Sequence, residues 1–123
     1  MGHSGDVPSI REAVPEEYPI LEDILVSAFT TGCWVDPHYE ENLRTLSLRS
    51  RVMHVWVAVD HDDRPLALAL TPRPEYWDRS YFTFSTLAVS PSARGLGIGA
   101  LLIDYVVGLA RNHGFSRIQI NSS

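Results

Sequence analysis

The stretch that most constrains this chain runs from Ser85 to Asn112 and predicts a strand, a glycine-rich loop and an amphipathic helix. The largely apolar residues 86–89 form the strand, and three glycines alternate with Leu96 and Ile98 directly after Arg94. Beyond the loop, apolar residues recur every three or four positions, which is the spacing of one helical face. They are Ile98, Leu101, Leu102, Tyr105, Val106 and Leu109. The helix is therefore expected to begin inside the glycine loop.

A helix that begins in such a loop predicts a phosphate-binding site. Its first-turn N–H groups have no intrahelical partner, and the aligned peptide dipoles place partial positive charge there. Gly95, Gly97 and Gly99 lack Cβ atoms, so an anionic group can approach these amides closely. Arg94 adds a full positive charge beside them.

Three other interpretations of the loop are weaker. A P-loop needs Lys followed by Ser or Thr after its glycines, whereas Ala100 follows here. The Rossmann spacing is formally matched by Gly95, Gly97 and Ala100. However, residues 90–93 separate the loop from its strand, and no acidic residue follows Asp104 to bind a ribose. A purely structural turn between strand and helix is the third alternative.

The segment from Leu87 to Leu102 closely resembles the acyl-CoA-binding motif of the GNAT superfamily of N-acyltransferases. The family pattern is Arg or Gln, two residues, Gly, one residue, and then Gly or Ala. Arg94, Gly97 and Gly99 match it. The strand before the loop, the spacer at 90–91 and the amphipathic helix after it strengthen the resemblance, which implies an acyl-CoA-dependent enzyme.

The rest of the chain predicts the element order of the GNAT fold up to its fifth strand. Hydrophobic periodicity, turn residues and caps predict the elements. The strands are expected over 9–14, 51–60, 65–71, 80–89 and 115–121, and the first two helices over about 16–29 and 36–50. The expected fold class is α/β (α+β): a mixed, mostly antiparallel central sheet flanked by helices, in the order β-α-α-β-β-β-α-β. We expect one domain over residues 1–123, without the further helix and two strands with which family members continue.

Composition limits the classes of partner. The formal net charge of −5 argues against a nucleic-acid partner and favours a cationic substrate. Every basic residue counted as Lys or Arg is an arginine, which excludes lysine Schiff-base chemistry. Cys33 is the only cysteine, so an internal disulfide and a cysteine-rich metal site are excluded. No apolar run approaches membrane-spanning length and the polar N-terminus does not resemble a signal peptide, so we expect a cytoplasmic protein with no membrane partner.

The resemblance implies that acetyl-CoA is the cosubstrate, that no metal is needed, and that the acetyl group passes directly to an amine. Backbone amides of the loop would bind the pyrophosphate, and the main chain of the preceding strand would bind the pantetheine arm. The cofactor-binding residues implied are Leu87, Ala88, Val89, Arg94, Gly95, Leu96, Gly97, Ile98 and Gly99. A non-catalytic acyl-CoA-binding module, or a family member completed by another chain, is the alternative.

The acceptor implied is a small-molecule or peptide amine. Segments that line the acceptor side in the family contain Trp34, Tyr76 and Trp77 here, although simple loop packing explains these aromatics as well. The last strand would leave an unpaired outer edge, so a homodimer formed through this edge is a further expectation.

The proton-transfer groups are less well marked. Residues 81–89 contain no acid and no histidine, so we expect Ser85 or Thr86 to hold a water that relays the proton from the amine. Other candidates for the base, which are also explained as a solvated helix face, are His38, Glu40 and Glu41. In the family a later tyrosine often protonates the leaving thiolate. The expected replacements are Tyr39, Tyr76, Tyr81 or bulk water.

Two further clusters are interpreted as structural. Cys33 with His38 has neither the spacing nor the strand-to-helix elbow of a nucleophilic pair. The acidic run at 60–63 is similar to a calcium loop, but Thr71 stands where that loop needs glutamate, and a polar hairpin turn explains it.

Overall fold

The computed structural model describes the backbone of residues 8–30, 45–77 and 80–121, and the side chains of these except 29–30, 83–86 and 120–121. The elements are β1 Ser9–Glu12, α1 Tyr18–Thr30, α2 Leu46–Arg49, β2 Met53–Val59, β3 Pro65–Pro72, β4 Phe82–Val89, α3 Ile98–Asn112 and β5 Ile118–Asn121. Short 3-10 turns occur at Pro15–Glu17, Pro74–Tyr76 and Pro91–Ala93. The predicted order of strands and helices is confirmed.

The strands form one sheet in the order β1-β2-β3-β4-β5. The first four pair antiparallel with their neighbours, and β5 pairs parallel with β4 after the crossover through α3. The turn between β2 and β3 is a polar hairpin: the Asp60 carboxylate accepts the backbone N–H groups of Asp62 and Arg64 at 2.9 Å. These bonds hold the pKa of Asp60 below its ordinary value. The predicted sheet and hairpin turn are both confirmed.

The two faces of the sheet carry side chains of different size. One face presents large residues such as Val57 and Leu68, which pack against α1. The other presents Ala58, Ala67 and Ala69, all fully buried, against α3. Because alanine occupies little volume, α3 can lie close to this face. The sheet therefore lies between two helices, and its alanine face positions the helix that follows the glycine loop.

The buried stripe of α3 differs from the predicted one. Ile98, Leu102 and Val106 are buried as predicted, and Ala110 continues the same row at intervals of four. Leu101, Tyr105 and Leu109 are only partly buried. An interval of four follows one row along a helix surface, so the stripe against the sheet is narrower than the predicted one.

The boundaries of the N-terminal elements were predicted to within a few residues. Strand β1 ends at Glu12 rather than at residue 14, because Pro15 opens a 3-10 turn. Helix α1 begins at Tyr18, which places Pro19 in the first turn, as expected for proline. Its fully buried residues include Leu21 and Leu25, as predicted.

The other helices and the last strand show smaller corrections. Of the predicted second helix, residues 45–50 lie among the described residues, and Leu46–Arg49 are helical with Leu46 fully buried. Gly114 follows α3 in a left-handed conformation with φ 85°, which is typical of a glycine after a helix end. Strand β5 begins at Ile118 rather than at residue 115, because the Phe115 N–H bonds back to the Ala110 carbonyl of α3 at 3.0 Å.

Candidate active site

The glycine loop adopts a backbone that its glycines make possible. Gly95 and Gly97 have φ of 82° and 77°, in the left-handed region that other residues rarely adopt. Gly97 is the residue directly before α3. A Cβ atom at Gly99 would lie 3.7 Å from Val89 Cγ2, which is ordinary van der Waals contact. The loop therefore needs glycine at 95 and 97, whereas position 99 has room for alanine.

The first turn of α3 offers a set of open amides. The Leu101 N–H bonds to the Gly97 carbonyl at 3.1 Å. The N–H groups of Ile98, Gly99 and Ala100 precede this bond, so they have no acceptor within the helix. The predicted set of loop amides ended at Gly99, and Ala100 was missed. The rule that a helix leaves its first amides unpaired would have included it once the start at Ile98 was fixed.

The electrostatics of the loop favour an anion. The positive end of the α3 dipole is directed at these amides, and Arg94 is exposed beside them. Leu96 is 69% exposed, so the loop is open to solvent. Ala93, on the other side of Arg94, is buried in the core beneath α3 and anchors the loop there. An exposed, anchored and electropositive loop of this kind can bind a phosphate.

A β-bulge interrupts β4 just before this loop. Ala69 pairs with Leu87 and Leu70 pairs with Ser85, so Thr86 is an extra residue on β4. The described pairing of β4 with β5 ends at the same place, with Ser85 opposite Asn121. Beyond the bulge, β4 continues to Val89 along β3. Among the described residues, the β5-side edge of segment 87–89 is therefore left without a strand partner.

The open edge of β4 lies next to the glycine loop. The Cβ position of Gly99 is within 3.8 Å of both Leu87 Cδ2 and Val89 Cγ2. The turn from β4 to the loop is fixed by the Ser90 N–H, which donates to the Leu66 carbonyl at 2.8 Å. Segment 87–89 and the open amides of α3 therefore lie side by side and form one surface.

The remaining predicted residues are placed less completely. Ser85 and Thr86 lie at the bulge, but their side chains are outside the described part, so their role in proton relay stays a prediction. Tyr76 is 59% exposed. Trp77 packs against Phe115, with ring centroids 5.3 Å apart. Both aromatics precede β4 whereas the loop follows it, so they lie at the opposite end of this strand. The predicted candidates outside the described residues are Cys33, Trp34, His38, Tyr39, Glu40 and Glu41.

A polar cluster on β1 and β2 was not predicted as a unit. His54 Nδ1 lies 2.8 Å from a Glu12 carboxylate oxygen. Burial raises the pKa of the Tyr105 hydroxyl, and the nearby Glu12 charge raises it further. His54 and Glu12 are 42 positions apart, so no local sequence pattern marks this contact.

Comparison with known proteins identifies the family to which this architecture corresponds. The model of the Acetyltransferase (GNAT) family matches residues 13–123. A comparison with curated proteins finds no significant match. Within the described residues, the longest helices are too short or too polar to cross a membrane.

Solved structures share the fold at low sequence identity. A GNAT family acetyltransferase from Brucella melitensis in complex with acetyl-CoA is 18% identical, with a TM-score of 0.70 over 92% of this chain and 74% of that one. The Escherichia coli GNAT protein YhbS in complex with CoA is 16% identical, with a TM-score of 0.72 over 98% of this chain and 65% of that one. A GNAT acetyltransferase from Staphylococcus aureus Mu50 is 18% identical, with a TM-score of 0.71 over 93% of this chain and 73% of that one. At these identities the likeness establishes the fold.

Proposed function

The chain belongs to the GNAT acetyltransferase family, and we propose that it transfers an acetyl group from acetyl-CoA directly to an amine acceptor. The observation that carries the proposal is the surface formed by the glycine loop and segment 87–89. This surface combines two left-handed glycines, three amides without a helical acceptor and an open strand edge. The glycines and the amides suit a pyrophosphate, and the strand edge suits the amide groups of the pantetheine arm.

The pyrophosphate would be held mainly by the backbone. The N–H groups of Ile98, Gly99 and Ala100 point out of the helix terminus, where the dipole favours a negative charge. Hydrogen bonds from such donors to a charged oxygen are roughly twice as strong as neutral ones. Arg94 would add an ion pair at the solvent side. Any side chain longer than that of glycine at position 97 would both strain the backbone and project beside the ligand.

The pantetheine arm would be held as an added strand. It contains two amide groups, which can exchange hydrogen bonds with the free edge of segment 87–89 as an extended peptide does with a sheet edge. This arrangement would carry the thioester from the glycine loop toward the bulge at Thr86. A backbone N–H on this edge would then stabilise the negative charge that develops on the thioester oxygen.

The reaction needs positioning and one proton acceptor. The amine nitrogen attacks the thioester carbonyl, the new C–N bond forms, the C–S bond breaks, and its electron pair leaves on the CoA thiolate. The amine loses one proton, and the thiolate gains one from solvent or a tyrosine. We assign the proton relay to a water held by Ser85 or Thr86, because the backbone of both residues lies at the bulge toward which the thioester would extend. The fixed geometry supplies the larger part of the acceleration.

The proposed class of amine acceptor rests on the net charge of the chain. The chain has a formal net charge of −5, so its overall field attracts cationic amines rather than acidic ones. A small-molecule amine or an exposed amine of a peptide satisfies this condition. We therefore expect cationic amines with a neutral or basic remainder to be better acceptors than amino acids with acidic side chains.

The test is release of CoA thiol from acetyl-CoA in the presence of a panel of amines, followed with a thiol-reactive dye. Cys33 contributes at most one thiol equivalent per chain, so release beyond one equivalent measures turnover. We expect amine-dependent turnover that Gly97→Asp abolishes. Acetyl-CoA binding that depends on Gly97, without turnover on any amine, would overturn catalysis and identify a binding module. Equal binding by the wild type and Gly97→Asp would overturn the loop assignment itself.

A further inference from the structure

A cavity lies near the end of α3 that is opposite the glycine loop. Its volume is about 140 Å³. Strands β2 and β3, the turn before β4, the start of β4 and the end of α3 all contribute to its wall. The residues that line the cavity include His54, Trp56, Thr71, Trp77, Leu109 and His113. Leu109 follows Gly99 by about ten positions, which is about 15 Å along a helix. The cavity is therefore separate from the proposed acetyl-CoA site.

Both tryptophans of the wall are held in place by hydrogen bonds within the protein. Trp56 Nε1 donates to Thr71 Oγ1 at 2.9 Å, and Trp77 Nε1 donates to the Pro72 carbonyl at 2.9 Å. Thr71 is 1% exposed, so the Trp56 bond is shielded from water. Because the indole donors are already used, the tryptophans offer a ligand only their ring surfaces. Such fixed side chains make a pre-formed pocket that costs little ordering energy on binding.

The indole rings of the wall also contact neighbouring aromatic rings. Trp56 packs edge-on against Tyr105 of α3, with ring centroids 5.1 Å apart. Trp77 contacts Phe82 and Phe115 edge-on at 5.9 and 5.3 Å, and the His113 ring at 4.8 Å. These contacts fix the orientation of both indoles. The cavity is therefore an aromatic slot rather than a loose gap between side chains.

His54 adds a polar ring to the wall of the slot, as does His113. His54 Nδ1 lies 2.8 Å from the Glu12 carboxylate, which can only accept, so Nδ1 carries the proton of this bond. In the neutral imidazole, Nε2 is then a hydrogen-bond acceptor. The Glu12 charge is already engaged by His54, and Arg73 lies 4.0 Å away from the same oxygen. Within the part of the chain that the structure describes, this carboxylate charge is therefore already engaged, which favours a neutral ligand.

We propose that this cavity is a binding site for a small, neutral, one-ring aromatic molecule that carries an O–H or N–H donor, of the phenol or azole class. The ring would stack in the slot between the indoles, and the donor would bond to His54 Nε2. The size fits, since an engineered apolar cavity of about 150 Å³ accommodates benzene. The site lies away from the glycine loop, and its test does not require acetyl transfer.

The first experiment titrates phenol, and toluene as its donor-free isostere, into the ¹⁵N-labelled chain and follows the indole N–H signals of Trp56 and Trp77 by NMR. We expect phenol to shift both signals and to bind about five-fold more tightly than toluene, as one hydrogen bond provides. In His54→Phe, which keeps a ring but lacks Nε2, the two ligands should bind equally. Unchanged indole signals at about 5 mM phenol would overturn the site.

A second pair of variants separates the cavity from nonspecific binding. Leu109→Trp places an indole in the slot and should weaken phenol binding at least ten-fold. Arg111→Trp adds the same side chain to an exposed position of the same helix and should leave phenol binding unchanged. Equal binding by the two variants would overturn the proposal. If circular dichroism shows that Leu109→Trp does not fold, the comparison of phenol with toluene in wild type and His54→Phe decides alone.

Discussion

Replacing Gly97 by aspartate or by asparagine separates the charge of the glycine loop from its shape. Both side chains have the same size, and both tolerate the left-handed backbone better than most residues. A Cβ at this position would meet no atom within 4 Å, so neither replacement clashes with the protein. Each should pay a similar cost of about 1 kcal/mol for the φ of 77°. The two variants therefore differ only in one negative charge.

The size of the charge effect follows from distance. A carboxylate on residue 97 would lie about 5 Å from a pyrophosphate bound to the neighbouring amides. Two like charges repel at this distance by about 0.8 kcal/mol in bulk water and about 1.7 kcal/mol at an effective dielectric constant of about 40. For the two charges of a pyrophosphate, the penalty is about 1.7 to 3.3 kcal/mol. Gly97→Asp should therefore bind acetyl-CoA about 20- to 200-fold more weakly than Gly97→Asn.

Calorimetric titration with acetyl-CoA measures this ratio directly. The ratio should shrink as salt rises from about 0.1 M to about 1 M, because the screening length falls from about 10 Å to about 3 Å. Thermal unfolding of both variants provides the control for folding. Equal dissociation constants for the aspartate and asparagine variants would refute the assignment of the pyrophosphate to this loop. A salt-independent ratio would show that the difference arises from shape and not from charge.

Three further predictions concern proton relay, pH and the core. If Ser85 holds the relay water, Ser85→Ala should lower kcat at least ten-fold while the calorimetric affinity for acetyl-CoA stays constant; an unchanged kcat would move the relay elsewhere. Arg11 donates two hydrogen bonds to Glu17, which holds the pKa of this carboxyl below its ordinary value. The resulting stability is present above the unfolded-state pKa of about 4.3 and is lost as pH falls through the lowered folded value. Glu17→Gln should therefore cost about 1 kcal/mol in urea unfolding at pH 7 and nothing once the wild-type carboxyl is protonated; a cost that persists in acid would contradict this. Thr71→Val removes the hydroxyl bonded to Trp56 Nε1 and should cost about 1–2 kcal/mol, whereas Thr71→Ser should cost less, and equal losses would assign the effect to packing.

The parts of the fold that the sequence predicts best are those set by local chemistry. The start of α3 follows from glycines whose backbone conformation few other residues adopt. Strand β2 follows from the alternation of Val55, Val57 and Val59, all of which are buried on one face. In each case a signal within a few residues determines the outcome. For these elements, the structure therefore adds only the residues at which they begin and end.

The bulge at Thr86 shows where local chemistry is insufficient. Its existence depends on how residues 85–87 register against Ala69 and Leu70, which lie on another strand. No residue in the sequence of β4 marks the extra position, because neither glycine nor proline occurs there. The aromatic slot likewise depends on residues that are distant in the sequence. It combines His54, Thr71 and Leu109, which only the complete topology brings together.

This difference explains why the cosubstrate can be inferred for this chain more readily than the acceptor. In the proposal, acetyl-CoA binds to backbone amides of α3 and to the edge of β4. Binding of this kind requires glycines and a strand, and both can be recognised in a single sequence. Recognition of an amine depends on side chains from separate segments, whose positions depend on the packing of the whole sheet. The buried alanines at 58, 67 and 69 set the distance of α3 from the sheet. Through that distance they place the loop amides beside β4. In the proposed function, the loop sequence would therefore select the ligand, and the alanine face of the sheet would position the loop to bind it.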